Sequence, residues 1–196
     1  MNKNFIIFLT CLLFYTPHAI AHSFTGRIGF YDGMSHPVLG LDHFLAMISV
    51  GILSAQIGGK AIWTVPATFV LIMTIGGLFG FLLAIDDHYF IEVGIIFSVI
   101  LLGFGISIEK IIPTKLIIFF VGIFGLFHGT AHGIEVPAAA NPLLFVLGFI
   151  CGTTVLHLFG VGIGCFSIKT TISSILLRLT GILFAIYGLY LLTQIF

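Results

Sequence analysis

Two stretches of this chain carry side chains that can do chemistry, "HPVLGLDHF" at 36–44 and "FHGTAHGIE" at 127–135. On a helix, His36 and His43 stand seven residues apart and so lie nearly superposed on one face, with Asp42 beside them. His128 and His132, at i and i+4, share a face that Glu135 extends by a further turn, although Gly129 and Gly133 between them can loosen the backbone. Imidazole with carboxylate is a ligand set for borderline divalent metals such as nickel, cobalt, zinc and copper(II), whereas copper(I) calls for thiolates or many methionines. Three Cys and four Met are too few for that softer chemistry. Two further ionisable residues, Glu92 and His157, interrupt long apolar runs.

Those runs are the elements that must position the ligands. Hydrophobic residues make up 59% of the 196 residues and charged residues 7%, and the apolar stretches reach the roughly 20 residues that a membrane helix needs. The reading is an all-α integral membrane protein, a six-transmembrane-helix bundle in one domain over residues 22–196. Its segments run at about 37–57, 61–84, 90–108, 115–133, 141–165 and 174–195. Pro37 is placed in the first turn of the first segment, "GGK" at 58–60 ends it, and Asn141-Pro142 opens the fifth. The steps Gly76 to Gly80, Gly148 to Gly152 and Gly160 to Gly164 predict close helix packing.

The N-terminus differs in kind. Lys3, an apolar run from Phe5 to Tyr15, Pro17 and the small-residue ending "AIA" at 19–21 match a secretory signal peptide over residues 1–21. Cleavage would leave His22 as the new N-terminus, a two-nitrogen chelate for an outer vestibule. The competing reading is an uncleaved first helix, although the run is short for a span. Without Cys11, only Cys151 and Cys165 remain, and no CxxC pair or disulfide framework results.

Orientation follows from the positive charges, because Lys and Arg in short loops mark the cytoplasmic side. Lys60, Lys110, Lys115, Lys169 and Arg178 fall on one side; Asp86, Asp87, His88 and Glu135 fall on the other, with Arg27 alone dissenting. Both mature termini then face out, and both histidine motifs, with Glu92, lie at one outer level. His157 is the exception, roughly 24 Å from the outer end at about 1.5 Å per residue. It is a candidate for a second, deeper station.

Ionisable groups at membrane depth are costly unless they pair, face water or serve an ion pathway. Three structural readings compete with a metal role: histidines that merely tie the first and fourth segments together, a Glu92 that satisfies a neighbouring helix, and a packed, hydrogen-bonded His157. Asp86, Asp87 and His88 read as a solvated loop, Phe69, Phe79 and Phe81 as lipid-facing or packing residues, and Asp32 and Met47 as outer support for the site.

The stretches "HPVLGLDH", "IEVGIIFSVILLG", "FHGTAHGIE" and "GFICGTTVLHLFG", following the signal-like segment in this order, resemble the hydrogenase/urease accessory HupE/UreJ family over nearly the whole mature chain. The resemblance implies a nickel or cobalt permease of a bacterial inner membrane that supplies hydrogenase, urease or cobalamin metallocentres. It ties metal passage to His36, Asp42, His43, Glu92, His128, His132 and Glu135.

The expected substrate is therefore Ni2+ or Co2+ carried across a lipid bilayer, with no tightly bound cofactor and no catalytic residue. A GxxxxGK[ST] ATP-binding loop is absent, so transport would be passive or coupled to another ion. Zero net charge without a basic patch gives no reason for a nucleic-acid partner. The neutral loops offer no obvious docking surface, the sequence names no downstream metallochaperone, and a homo-oligomer is compatible with it. Three rivals stand beside the permease. A metal-binding sensor or accessory subunit would bind without transport, a membrane metalloenzyme would need His boxes that this chain lacks, and a haem b protein would use histidines from two helices as axial ligands.

Overall fold

Pro37, Gly40 and Asp42 decide how the chain enters the bundle. The computed structural model describes residues 29–83, 88–108, 112–136 and 141–195, with the side chain of Glu135 excepted. The signal-like segment 1–21 with Cys11, and His22, Arg27, Asp86, Asp87 and Lys110, lie outside the described residues. The first apolar segment, expected as one helix over 37–57, is two: α1, Phe30–Leu39, and α2, Leu41–Ile57, bent by 88°. Pro37 lies inside α1 instead of opening a helix. It has no N–H to continue the ladder, and three residues later Gly40 leaves the helix with φ −94° and ψ 117°.

The helix restarts when the Phe44 N–H donates to the Gly40 carbonyl at 2.9 Å. Asp42 then stands in the first turn of α2, where the positive end of the helix dipole favours a carboxylate. At the start of α1 the Gly29 N–H donates to Asp32 Oδ2 at 3.0 Å, so Asp32 closes a helix end. That is a local backbone role.

Five longer helices follow: α3 (Ala61–Leu83), α4 (His88–Ser107), α5 (Thr114–Glu135), α6 (Pro142–Ser167) and α7 (Thr171–Ile195). Gly58 and Gly59, at φ 76° and 57°, make the α2–α3 turn in a region that side chains other than glycine rarely adopt. Asn141 caps α6, its Oδ1 accepting from the Leu144 N–H at 3.3 Å with Pro142 beside it, as expected. The helices α3 to α7 are each long and apolar enough to cross a membrane, and the bent α1–α2 pair makes a sixth candidate span. The protein is an all-α membrane bundle whose outward faces carry Leu71, Phe79, Phe81, Phe104, Phe119 and Phe159.

At its centre stands α2, which touches every other helix and is buried at each position from Leu45 to Ala55. The glycine steps read from the sequence are the contact surfaces. A β-carbon on Gly129 would fall on the Met73 carbonyl oxygen, and one on Gly133 on that of Gly77, which locks α5 to α3. Gly148 and Gly152 likewise lie against the carbonyls of Phe30 and Met34, and Gly160 against that of Ile48. These contacts hold α6 against both α1 and α2. The backbone of α5 stays helical through Glu135 because its glycines are filled by a neighbour.

Gly133→Ala should therefore wedge α5 from α3 and cost about 1–3 kcal/mol, as overpacking does. At Gly162 a β-carbon meets nothing within 4 Å, so Gly162→Ala should leave the melting temperature in detergent unchanged. Equal melting temperatures for the two variants would refute this account of the packing.

Candidate functional site

The bend at Gly40 delivers two histidines to one place from two helices. His36 comes from the last turn of α1 and His43 from the first turn of α2. They do not share one continuous helical face, as the seven-residue spacing predicted, because the helix breaks between them. Both meet the ring of His132 on α5 instead: ring centroids are 4.8 Å apart for His36 and His132 and 4.5 Å for His43 and His132. His43 also lies 4.9 Å from the ring of His128, one turn deeper on α5.

The four imidazoles thus form a series, His36, His132, His43, His128, crossing at interplanar angles of 60–83°. Among the described residues, no three His, Cys, Asp or Glu side chains are arranged to hold one metal ion. The arrangement is a file of neighbouring rings, not a closed cage.

Hydrogen bonds set which nitrogen each ring offers. His128 Nδ1 lies 2.9 Å from the Phe124 carbonyl oxygen. A carbonyl only accepts, so Nδ1 carries the proton and Nε2 keeps its lone pair in the neutral ring. That Nε2 is buried and has no hydrogen-bond partner among the described residues. His43 Nδ1 lies 2.9 Å from Asp42 Oδ1, and the same oxygen accepts the His43 backbone N–H at 2.8 Å. The carboxylate thereby fixes the ring and assigns Nε2 as its lone-pair nitrogen, the arrangement by which carboxylates orient metal-binding histidines. Gly40 makes room for the pair, since a β-carbon there would sit 3.0 Å from Asp42 Oδ1 and 3.2 Å from His43 Nδ1.

Exposure is greatest at the Asp42–His43 pair and absent at His128. Asp42 and His43 are 21% and 13% exposed, whereas His128 is 0%. Aromatic rings wall it: Phe145 lies 5.5 Å from His36, and Phe149 lies 4.2 Å from His132. Deeper still, the Phe69 ring lies 5.4 Å from that of His128 and 5.1 Å from that of His157, which is buried on α6.

Phe69 is the residue that sequence reasoning placed with the generic aromatics. The signal for it was present: Val65, Phe69, Met73, Gly76 and Gly80 form the buried stripe of α3, in phase with the glycine step already read as a contact surface. Glu92, by contrast, is exposed on α4, and His88 opens the same helix on the surface. Met47 is fully buried in the core of α2.

The sequence profile described as "HupE / UreJ protein" matches residues 9–191, taking in α1 to α6 and most of α7. The chain belongs to the HupE/UreJ family. It is 41% identical over 148 residues to Protein HupE of Rhizobium leguminosarum bv. viciae, which covers 74% of this chain and 76% of that protein. No solved structure matches the chain. For this HupE/UreJ chain, the histidine file is the feature of the fold that its otherwise apolar helices do not explain.

Proposed function

We propose that this HupE/UreJ chain is a permease for divalent transition-metal ions, with nickel or cobalt as substrate. The observation that carries the reading is the series of imidazole contacts that joins His36, His132, partly buried His43 with its Asp42 partner, and fully buried His128. A route for an ion must bind it well enough to admit it and weakly enough, at several sites, to release it. Neighbouring rings in series meet that requirement, whereas a closed tetrahedral site would hold the ion. Asp42 supplies the negative charge that draws a hydrated cation to the mouth. The imidazoles replace its waters one or two at a time, and the phenylalanine walls keep bulk water and protons from following.

The end of the bundle with the histidines is the outer one in this reading. Lys60, Lys115 and Lys169 stand at the opposite end, in or beside the turns preceding α3, α5 and α7, which supports a cytoplasmic placement there. The membrane is the bacterial inner membrane, and the metal serves assembly of enzymes such as hydrogenase or urease, as the family resemblance implies.

The test is radiolabelled nickel and cobalt uptake into proteoliposomes holding the purified protein. Saturable uptake above that of empty vesicles is expected, and competition between the two ions ranks them. A protein that binds either ion in detergent yet moves neither would overturn the permease reading in favour of a metal sensor or accessory subunit.

A further inference from the structure

His157 has no place in the outer file, yet its surroundings are not those of an ordinary core residue. It is 1% exposed, and both of its ring nitrogens lack a hydrogen-bond partner among the described residues. A buried polar group without a partner lowers stability, and an apolar side chain of similar shape would fit the same space without that cost. Its position on α6 is ~22 Å beyond Pro142 at about 1.5 Å per residue, which is past the middle of a hydrocarbon core about 30 Å thick.

The neighbours of His157 connect it to the outer site. Phe69 lies edge-to-face against both His128 and His157, at interplanar angles of 61° and 84°. It is one aromatic ring thick, and a cation is attracted to an aromatic face. One turn from His157 on the same helix, the Thr153 hydroxyl is fully buried and lies 3.8 Å from the Met73 thioether, itself one turn from Phe69 on α3. Nitrogen, oxygen and sulfur donors thus line the α3–α6 contact between the two levels.

We infer that His157 is a second binding station for the transported divalent cation, set deep in the membrane and partitioned from the outer histidines by the Phe69 ring. The inference rests on the transport reading and deepens it: the ion leaves His128, passes Phe69 and is held by His157 before release to the far side. Splitting the route into two stations separated by an apolar ring keeps it closed to water while the ion is between levels.

The experiment compares the wild type with His157→Phe, which fills the space without a ligand, and His157→Gln, which keeps a polar side chain without imidazole. Three quantities are read on the full chain: Co2+ binding in detergent by absorption titration, Co2+ uptake into proteoliposomes, and melting temperature. Both variants should bind Co2+ at the outer histidines with affinity within about twofold of wild type and lose about tenfold in uptake. His157→Phe should melt no lower than wild type.

Uptake within about twofold of wild type in either variant would remove His157 from the route. Parallel loss of outer-site binding and of melting temperature in both variants would make His157 a packing residue and equally overturn the station. Wild-type vesicles without saturable uptake would bring down the transport reading itself, an outcome separable from the first two because it needs no variant.

Discussion

His132→Ala is expected to lower saturable nickel or cobalt uptake at least ~100-fold, the largest loss for any single residue here, since even a group that only orients a metal ligand is worth about 10–100-fold. The reason is geometric. The His132 ring is the one that touches both His36, from α1, and His43, from α2, at 4.8 and 4.5 Å. Removing it separates the two helices' contributions and opens a gap that neither neighbour spans. It also leaves Phe149, 4.2 Å away, facing empty space. His132→Phe, which fills that space, distinguishes a lost ligand from a lost contact. Both variants should fail to transport, and the phenylalanine variant should keep the wild-type melting temperature. Uptake by His132→Phe within about threefold of wild type would show that packing, not imidazole, is what this position contributes.

For Asp42→Asn a loss of about 10–100-fold in uptake is expected, on the scale of other carboxylates that orient metal-binding histidines. Asparagine keeps the shape, and its amide oxygen still accepts from His43 Nδ1 and from the His43 backbone N–H. What disappears is the charge, which draws the cation to the mouth and raises the electron density of the imidazole it holds. Because Asp42 lies in the first turn of α2, the negative charge also complements the helix dipole. A small fall in melting temperature should accompany the transport defect. Initial rates measured against metal concentration separate the effects: a weakened capture step raises the half-saturating concentration more than it lowers the maximal rate. An unchanged half-saturating concentration would remove Asp42 from capture and leave it as a helix-end residue.

Glu92 illustrates what residue type alone leaves open. As a carboxylate in an apolar run it has the same sequence credentials as Asp42, and both lie near the same end of the bundle. The rotation of α4 about its axis turns Ile91, Gly94 and Ile95 inward and leaves Glu92 exposed. Nothing local specifies that rotation, because α4 is apolar on nearly all sides. It is set by the docking of Gly103 against the Gly181 backbone of α7 and of Gly94 under the Phe127 ring of α5. Phe69 is the converse case. It is one of many phenylalanines in the sequence, and packing with α5 and α6 places it between two histidines.

What the sequence by itself determined is the set of parts: apolar segments of membrane length with their approximate ends, glycine steps that become backbone contacts, and histidines at one end of the bundle. Each follows from a local rule, since the length of an apolar run, a small residue every fourth position and the cost of burying charge are all legible along one strand of chain. The tertiary structure alone decided the 88° break at Gly40, the meeting of His36 and His43 on His132, the outward turn of Glu92 and the placing of Phe69 and His157 below the file. Those depend on the bend angle between helices and on the rotational setting of each helix. In a bundle this uniformly apolar, hydrophobic patterning does not encode either quantity, and the close fit of glycines against neighbouring carbonyls supplies both.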